Sequence, residues 1–265
     1  MASSSFSFFQ ILSATTTLLL LLEAHQASSC FSAIFSFGDS LQDTGNAAHM
    51  FVNSALSNPP YGTTYFHKAT GRYCDGRIIL DFIGCLGLPF VPPFLVGGDF
   101  SKGANFAFGG AVAVKSAKTF VVPGNLPIGC IPAWLGQYRS DKPSDYDRNG
   151  CLIWMNNFSE YHNNHLQTEL DRLKGQFPNV NIAYADYLNS GIRMFSNQAQ
   201  FGITVPFTAC CGGNGYPCNA TGPVCPNPLN HASWEGFHPT EATYHAISDG
   251  IIRGPYAIPF LSQKC

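Results

Sequence analysis

Apolar and polar positions follow two rhythms along this chain, and the switch between them marks out its elements. Residues 30–37, 104–108, 118–122 and 180–185 are short, mostly apolar runs bounded by glycine, proline or polar residues, which predicts buried strands. Elsewhere the apolar positions recur every three or four residues, the spacing of one helix face. Residues 75–86 place Ile78, Ile79, Phe82 and Ile83 together. Residues 153–173 predict the longest helix, with Met155, Phe158, Tyr161, His162, Leu166, Leu170 and Leu173 on its apolar side. Residues 240–252 predict a terminal helix, and 43–56 a loop and helix that Asn58-Pro59-Pro60-Tyr61-Gly62 interrupts. Strands alternating with helices predict an α/β fold around a parallel sheet. Reactive groups of such sheets gather beyond the carboxyl ends of the strands. Ser40, Gly110 and Asn125 each follow a predicted strand.

Residues 11–22 are apolar and dominated by leucine; residues 23–26 turn polar and Ala27-Ser28-Ser29 are small. This is the layout of a secretory signal peptide, and it is shorter than the roughly 20 residues that span a bilayer. Setting residues 1–29 aside leaves 30–265 as a single domain, expected to be secreted to the extracellular space, cell wall or vacuole without stable membrane insertion. A net charge of −2 with 11% charged residues provides no basic field for nucleic acid. All ten cysteines lie after residue 29, and an even count in an exported chain favours disulfides. Cys210, Cys211, Cys218 and Cys225 sit among Gly, Pro and Asn, a composition that suits a stapled loop better than a zinc site, so no metal and no cofactor is expected. Asn157-Phe158-Ser159 and Asn219-Ala220-Thr221 are glycosylation acceptors.

The candidate chemistry lies at the two ends. Gly38-Asp39-Ser40 follows the first predicted strand, where Gly38 permits a sharp turn that leaves the serine facing solvent. A hydroxyl is a weak nucleophile and needs a base. His238, in Ser233-Trp234-Glu235-Gly236-Phe237-His238-Pro239, can supply one.

Together with Gly71-Arg72-Tyr73-Cys74-Asp75-Gly76-Arg77, Gly103-Ala104-Asn105-Phe106-Ala107-Phe108-Gly109-Gly110 and Val121-Val122-Pro123-Gly124-Asn125-Leu126-Pro127-Ile128-Gly129-Cys130, these segments resemble the plant GDSL esterase/lipases, a branch of the SGNH hydrolases. The resemblance implies a three-layer α/β/α fold and a serine ester hydrolase acting on an acetyl or acyl ester of a plant metabolite, cell-wall glycan or lipid. Ser40 matches the nucleophile, His238 the base, and Glu235 the acid position, where the family usually has Asp. Ser40 and Gly110 match two oxyanion-hole donors, with Gly109 the runner-up to Gly110. The third donor, in a Gly-x-Asn-Asp motif, has no counterpart. Between Gly110 and Thr119 lie only residues 111–118, fewer than a crossover between two parallel strands needs. The chain therefore reads as a family member with an internal deletion that removes a central strand and its flanking helices. Asn125 is the one asparagine on the expected side that could stand in. Two alternatives follow: a catalytically impaired protein with a binding role, and an acyltransferase using the same acyl-enzyme.

Overall fold

The computed structural model describes residues 31–51, 53–83, 87–108, 119–213, 218 and 222–259. The expected leader, Gly109, Gly110, the 111–118 join and Asn219 lie outside the described residues. In chain order the strands are β1 (Ile34–Ser36), β2 (Gly103–Asn105), β3 (Thr119–Pro123), β4 (Asn181–Ala185), β5 (Val205–Ala209), β6 (His231–Ser233) and β7 (Ala257–Ile258). The helices are α1 (Asn46–Met50), α2 (Ile79–Ile83), α3 (Pro132–Gln137), α4 (Ile153–Gln176), α5 (Tyr187–Ser196) and α6 (Glu241–Ile252).

The fold is mixed α/β with parallel pairing. β1 runs parallel to β2, β3 to β4, and β5 to β6, while β7 adds antiparallel to β4. Among the described residues these pairs form three separate ladders, with β1 and β3 each hydrogen-bonded on one side only. Their mid-strand side chains Phe35 and Val121 are 53% and 37% exposed, so each strand leaves one face less covered than a central strand's would be.

The main core lies where α2 meets α6. Ile78, Ile79, Tyr244, Ile247 and Ile251 are fully buried there, each aliphatic side chain contributing about 1.5–3 kcal/mol. α5 packs beside α6 through Met194 and Ala246. It also presses on the loop after β3, where a Cβ on Gly191 would lie 2.7 Å from Pro127 Cδ. Buried Arg72 fixes the approach to α2 with two bonds to Asp81, at 2.7 and 2.6 Å.

Three differences from the sequence reading have physical causes. Within 75–86 the helix begins only at Ile79, because Asp75 and Arg77 are held in loop conformation by contacts to Glu241. The buried stripe of α4 is Met155, Ser159, Asn163 and Leu170, while Phe158 and Tyr161 are 55% and 64% exposed. Asn163 turns inward because its amide binds both the N–H and the carbonyl of Asn125, at 2.7 and 3.2 Å. Helix α5 was not anticipated, although Asp186 marks its start by accepting from the Asn189 N–H at 3.0 Å.

Candidate active site

The loop that carries Ser40 is built by buried polar side chains. After β1, the Gly38 carbonyl accepts from the Phe108 N–H at 3.0 Å, which keeps the chain beside the end of β2. Asp39 then closes a tight turn around Ser40, its carboxylate accepting from Leu41 N–H (2.9 Å) and its carbonyl from Gln42 N–H (3.1 Å). Asp43, fully buried, takes the N–H groups of Gly45, Asn46 and Ala47 at 2.8, 2.7 and 3.0 Å and so satisfies the open first turn of α1. The Asn46 amide donates to the carbonyls of Asn105 (2.9 Å) and Ala107 (2.7 Å) and accepts from the Leu95 N–H (2.9 Å). Asn105 donates in turn to the Gln42 carbonyl. The sequence reading gave Asp43, Asn46 and Asn105 no role; the signal was available, since each lies in a motif block next to an apolar run.

The histidine loop follows β6. Trp234 is fully buried edge-on to Tyr61, with ring centroids 5.9 Å apart. The Trp234 N–H and the Ser233 hydroxyl both donate to the His238 carbonyl, at 2.8 and 3.2 Å, closing a short loop in which Gly236 has φ +105°. That loop is braced from outside by disulfides Cys210–Cys225 and Cys211–Cys218. The N–H groups of Cys210 and Cys211 donate to the carbonyls of Ser233 (3.0 Å) and Trp234 (2.7 Å). A third disulfide, Cys130–Cys151, ties the loop after β3 to the start of α4. Cys74 departs from the expectation of full pairing: among the described residues it is a free, buried thiol, and burial raises its pKa well above the ordinary thiol value. Cys210, Cys225 and His231 approach one another closely, but the two sulfurs are joined and offer no thiolates to a metal.

These two loops bring Ser40, Glu235 and His238 together. Ser40 Oγ lies 2.8 Å from His238 Nε2, across 198 residues of sequence, and His238 Nδ1 lies 2.5 Å from Glu235 Oε1. The partners assign the tautomer: Nδ1–H donates to the carboxylate, and Nε2 is left to accept the serine proton. Glu235 is fully buried, and its Oε1 also accepts the N–H groups of His238 (2.8 Å) and Phe237 (3.3 Å). The longer glutamate thus reaches the imidazole from the acid position. Among the described residues nothing takes up the Ser40 backbone N–H. Asn125, held through its backbone by Asn163, makes no side-chain bond to Ser40 or His238 among the described residues. Other histidines are occupied elsewhere: His231 with Asn230, His67 with the Thr63 carbonyl, and His245 against Phe82. Tyr187 hydrogen-bonds Gln42 at 3.1 Å, and burial pushes the hydroxyls of Tyr187 and Tyr244 up, so both remain neutral beside the site.

An apolar hollow adjoins His238, with Leu126, Pro127, Ile131, Phe195, Pro206 and Phe237 among its walls. Among the described residues no helix is long and apolar enough to cross a membrane.

Comparison with known proteins agrees with the geometry. Residues 112–251 match the family described as GDSL-like Lipase/Acylhydrolase. A GDSL esterase/lipase of Arabidopsis thaliana is 36% identical, the match covering 89% of this chain and 87% of the relative. A second from the same plant is 32% identical, covering 95% and 91%. The sinapine esterase of Brassica napus is 31% identical, covering 92% of each. The first of these alignments runs to 342 positions against a chain of 265 residues, so the relative carries stretches that this chain skips. By these matches the chain belongs to the GDSL esterase/lipase family of carboxylic-ester hydrolases.

Proposed function

We propose that Ser40, His238 and Glu235 form the catalytic triad of an exported ester hydrolase that works through an acyl-enzyme. The 2.8 Å approach of Ser40 Oγ to His238 Nε2 is the observation that carries this reading. As Ser40 Oγ attacks the ester carbonyl, His238 Nε2 takes its proton, and Glu235 holds Nδ1–H and stabilises the imidazolium. When the tetrahedral intermediate collapses, the C–O bond to the alcohol breaks and His238 returns the proton to the departing oxygen. Water, deprotonated by the same nitrogen, then releases the acid and restores Ser40. The Ser40 N–H and Gly110 are the proposed oxyanion donors. The substrate is an acetyl or acyl ester of a plant metabolite, glycan or lipid; the Brassica napus relative, an esterase by name, supports an ester of a small plant metabolite. Hydrolysis of p-nitrophenyl acetate and butyrate tests the reading: Ser40→Ala is expected to abolish it, and equal rates for the two proteins would refute it.

A second reading, a weakly active relative, has its own support. The missing Gly-x-Asn-Asp motif and the open sides of β1 and β3 fit an internal deletion. Loss of one oxyanion donor lowers turnover by roughly a hundred- to a thousandfold. Turnover in that range with Ser40 still required would favour this reading, and sequencing the transcript across codons 109–119 would test the deletion.

Export rests on the leader-like residues 1–29 and the disulfides. A protein recovered from culture medium is expected to begin near residue 30; retention of residues 1–29 would refute export by this route. Exposed Asn157 on α4 is the proposed glycosylation site among the described residues. A loss of mass on glycosidase treatment that is smaller in Asn157→Gln would report it, and a mass loss unchanged by that substitution would exclude it.

A further inference from the structure

We infer that Tyr73 is a positioning residue for His238: its ring covers one face of the imidazole, keeps it in line with Ser40, and stabilises the imidazolium formed during attack. This rests on the triad reading above. Both ring nitrogens of His238 are engaged, Nδ1 by Glu235 and Nε2 by Ser40, which leaves the C–H edges and the faces of the imidazole for further side chains. Tyr73 occupies one face, with ring centroids 4.9 Å apart and planes inclined by 38°. That separation is inside the roughly 6 Å over which an aromatic face attracts a cation.

The loop that carries Tyr73 is fixed to both halves of the site. On one side Arg72 is buried, bound twice to Asp81, and reaches the carbonyl of Thr44, in the nucleophile loop, at 3.4 Å. On the other, Arg77 grips Glu241, at the start of α6, with Nε at 3.1 Å and Nη2 at 2.7 Å, while its backbone N–H reaches the second carboxylate oxygen at 2.8 Å. Asp75 accepts the Glu241 N–H at 2.9 Å, three residues beyond His238. Between these residues Gly76 has no room for a side chain, because a Cβ would collide with the Glu241 carboxylate. Two ion pairs therefore set the position of Tyr73 relative to both Ser40 and His238.

Packing alone is the competing explanation, since Tyr73 also borders the cluster of Leu56, Tyr61 and Trp234. The pH dependence separates the two. The ionisable groups around the site include Glu235 on the loop of His238, Asp39 from the nucleophile loop, Tyr187 from α5, Cys74 and Asp75 beside Tyr73, and Tyr244 and Glu241 from α6. None is altered by substituting Tyr73.

The test compares Tyr73→Phe, Tyr73→Leu and Tyr73→Met with the unaltered protein, the flexible, gap-filling Met serving as the second non-aromatic variant should Leu fail to fold. Phe is expected to keep activity. Leu and Met are expected to lower kcat on p-nitrophenyl acetate by roughly two- to thirtyfold with little change in KM. Because the imidazolium loses a stabilising face, the acid limb of the kcat/KM profile moves to lower pH. The NMR titration of the His238 ring, assigned by its loss in His238→Gln, moves the same way without substrate. Unchanged titration and unchanged kcat in Leu and Met, with only the melting temperature lowered, would overturn the inference. Activity surviving Ser40→Ala would instead sink the triad reading, while the titration would still report on Tyr73.

Discussion

Replacing Glu235 by Gln isolates what the buried carboxylate does for His238. The side chain keeps its size, and its amide oxygen can still accept the Nδ1–H and the two backbone N–H groups that Glu235 Oε1 now holds. What disappears is the negative charge 2.5 Å from Nδ1 of the imidazole ring that becomes positive when Nε2 takes the Ser40 proton. At an effective dielectric constant of about 20, Coulomb's law sets a ceiling of about 7 kcal/mol on that attraction. Keeping the fully buried carboxylate away from water offsets part of it. A remainder of about 3–5.5 kcal/mol corresponds to a fall in kcat of roughly 10²- to 10⁴-fold. Neutralising the acid of a triad on another fold costs about 10⁴, the upper end of that range. KM is expected to change little, because the lost interaction strengthens only in the transition state. The assay is steady-state hydrolysis of p-nitrophenyl acetate by the variant and the unaltered protein, with circular dichroism to show that both are folded. A Glu235→Gln protein within about threefold of normal kcat would refute the claim that this carboxylate stabilises the imidazolium.

Three further outcomes follow from the same contacts. Asn46→Ala strands the Leu95 N–H and the carbonyls of Asn105 and Ala107, and is expected to cost about 3 kcal/mol in urea unfolding; a loss under about 0.5 kcal/mol would contradict the role given to Asn46. Replacing Cys210 and Cys225 by serine opens a loop with a sequence separation of 15, a loss of about 3 kcal/mol that should lower the melting temperature by roughly 6–12 °C; no change would show that the brace behind Trp234 is dispensable. Burial raises the native pKa of Cys74, Tyr187 and Tyr244, so the unfolded chain ionises first as pH rises. Stability is therefore complete below about pH 8.5 and declines above it, with the tyrosines adding from about pH 10; a melting temperature that is flat from pH 7 to 11 would contradict their burial.

The parts of this molecule that were legible in the sequence are those whose signal is local. Apolar runs located β1, β3 and β4 because a buried strand needs only its own residues to be recognised. The terminal helix was equally plain over 240–252, with Thr240 serving in the structure as its cap. Motif order singled out Ser40, Glu235 and His238 as candidates, with Glu235 at the acid position, and the fold brings the three side chains together. The ability of Glu235 to reach the imidazole depended on the fold of the 233–239 loop, and that loop is held by Cys210 and Cys211 from another segment. Long-range polar contacts were the illegible part. Asn163 turns into the core to bind Asn125, which rotates the buried face of α4 away from Phe158 and Tyr161. Glu241 captures Asp75 and Arg77, which delays the start of α2. Neither partner could be deduced from spacing along the chain.

In the proposed triad His238 activates Ser40. Fluorophosphonate labelling of the intact protein, followed by peptide mapping, tests it most directly. An adduct is expected on Ser40, and none on the same peptide from His238→Gln. No adduct on Ser40 in the unaltered protein, or undiminished labelling in the His238→Gln variant, would contradict it.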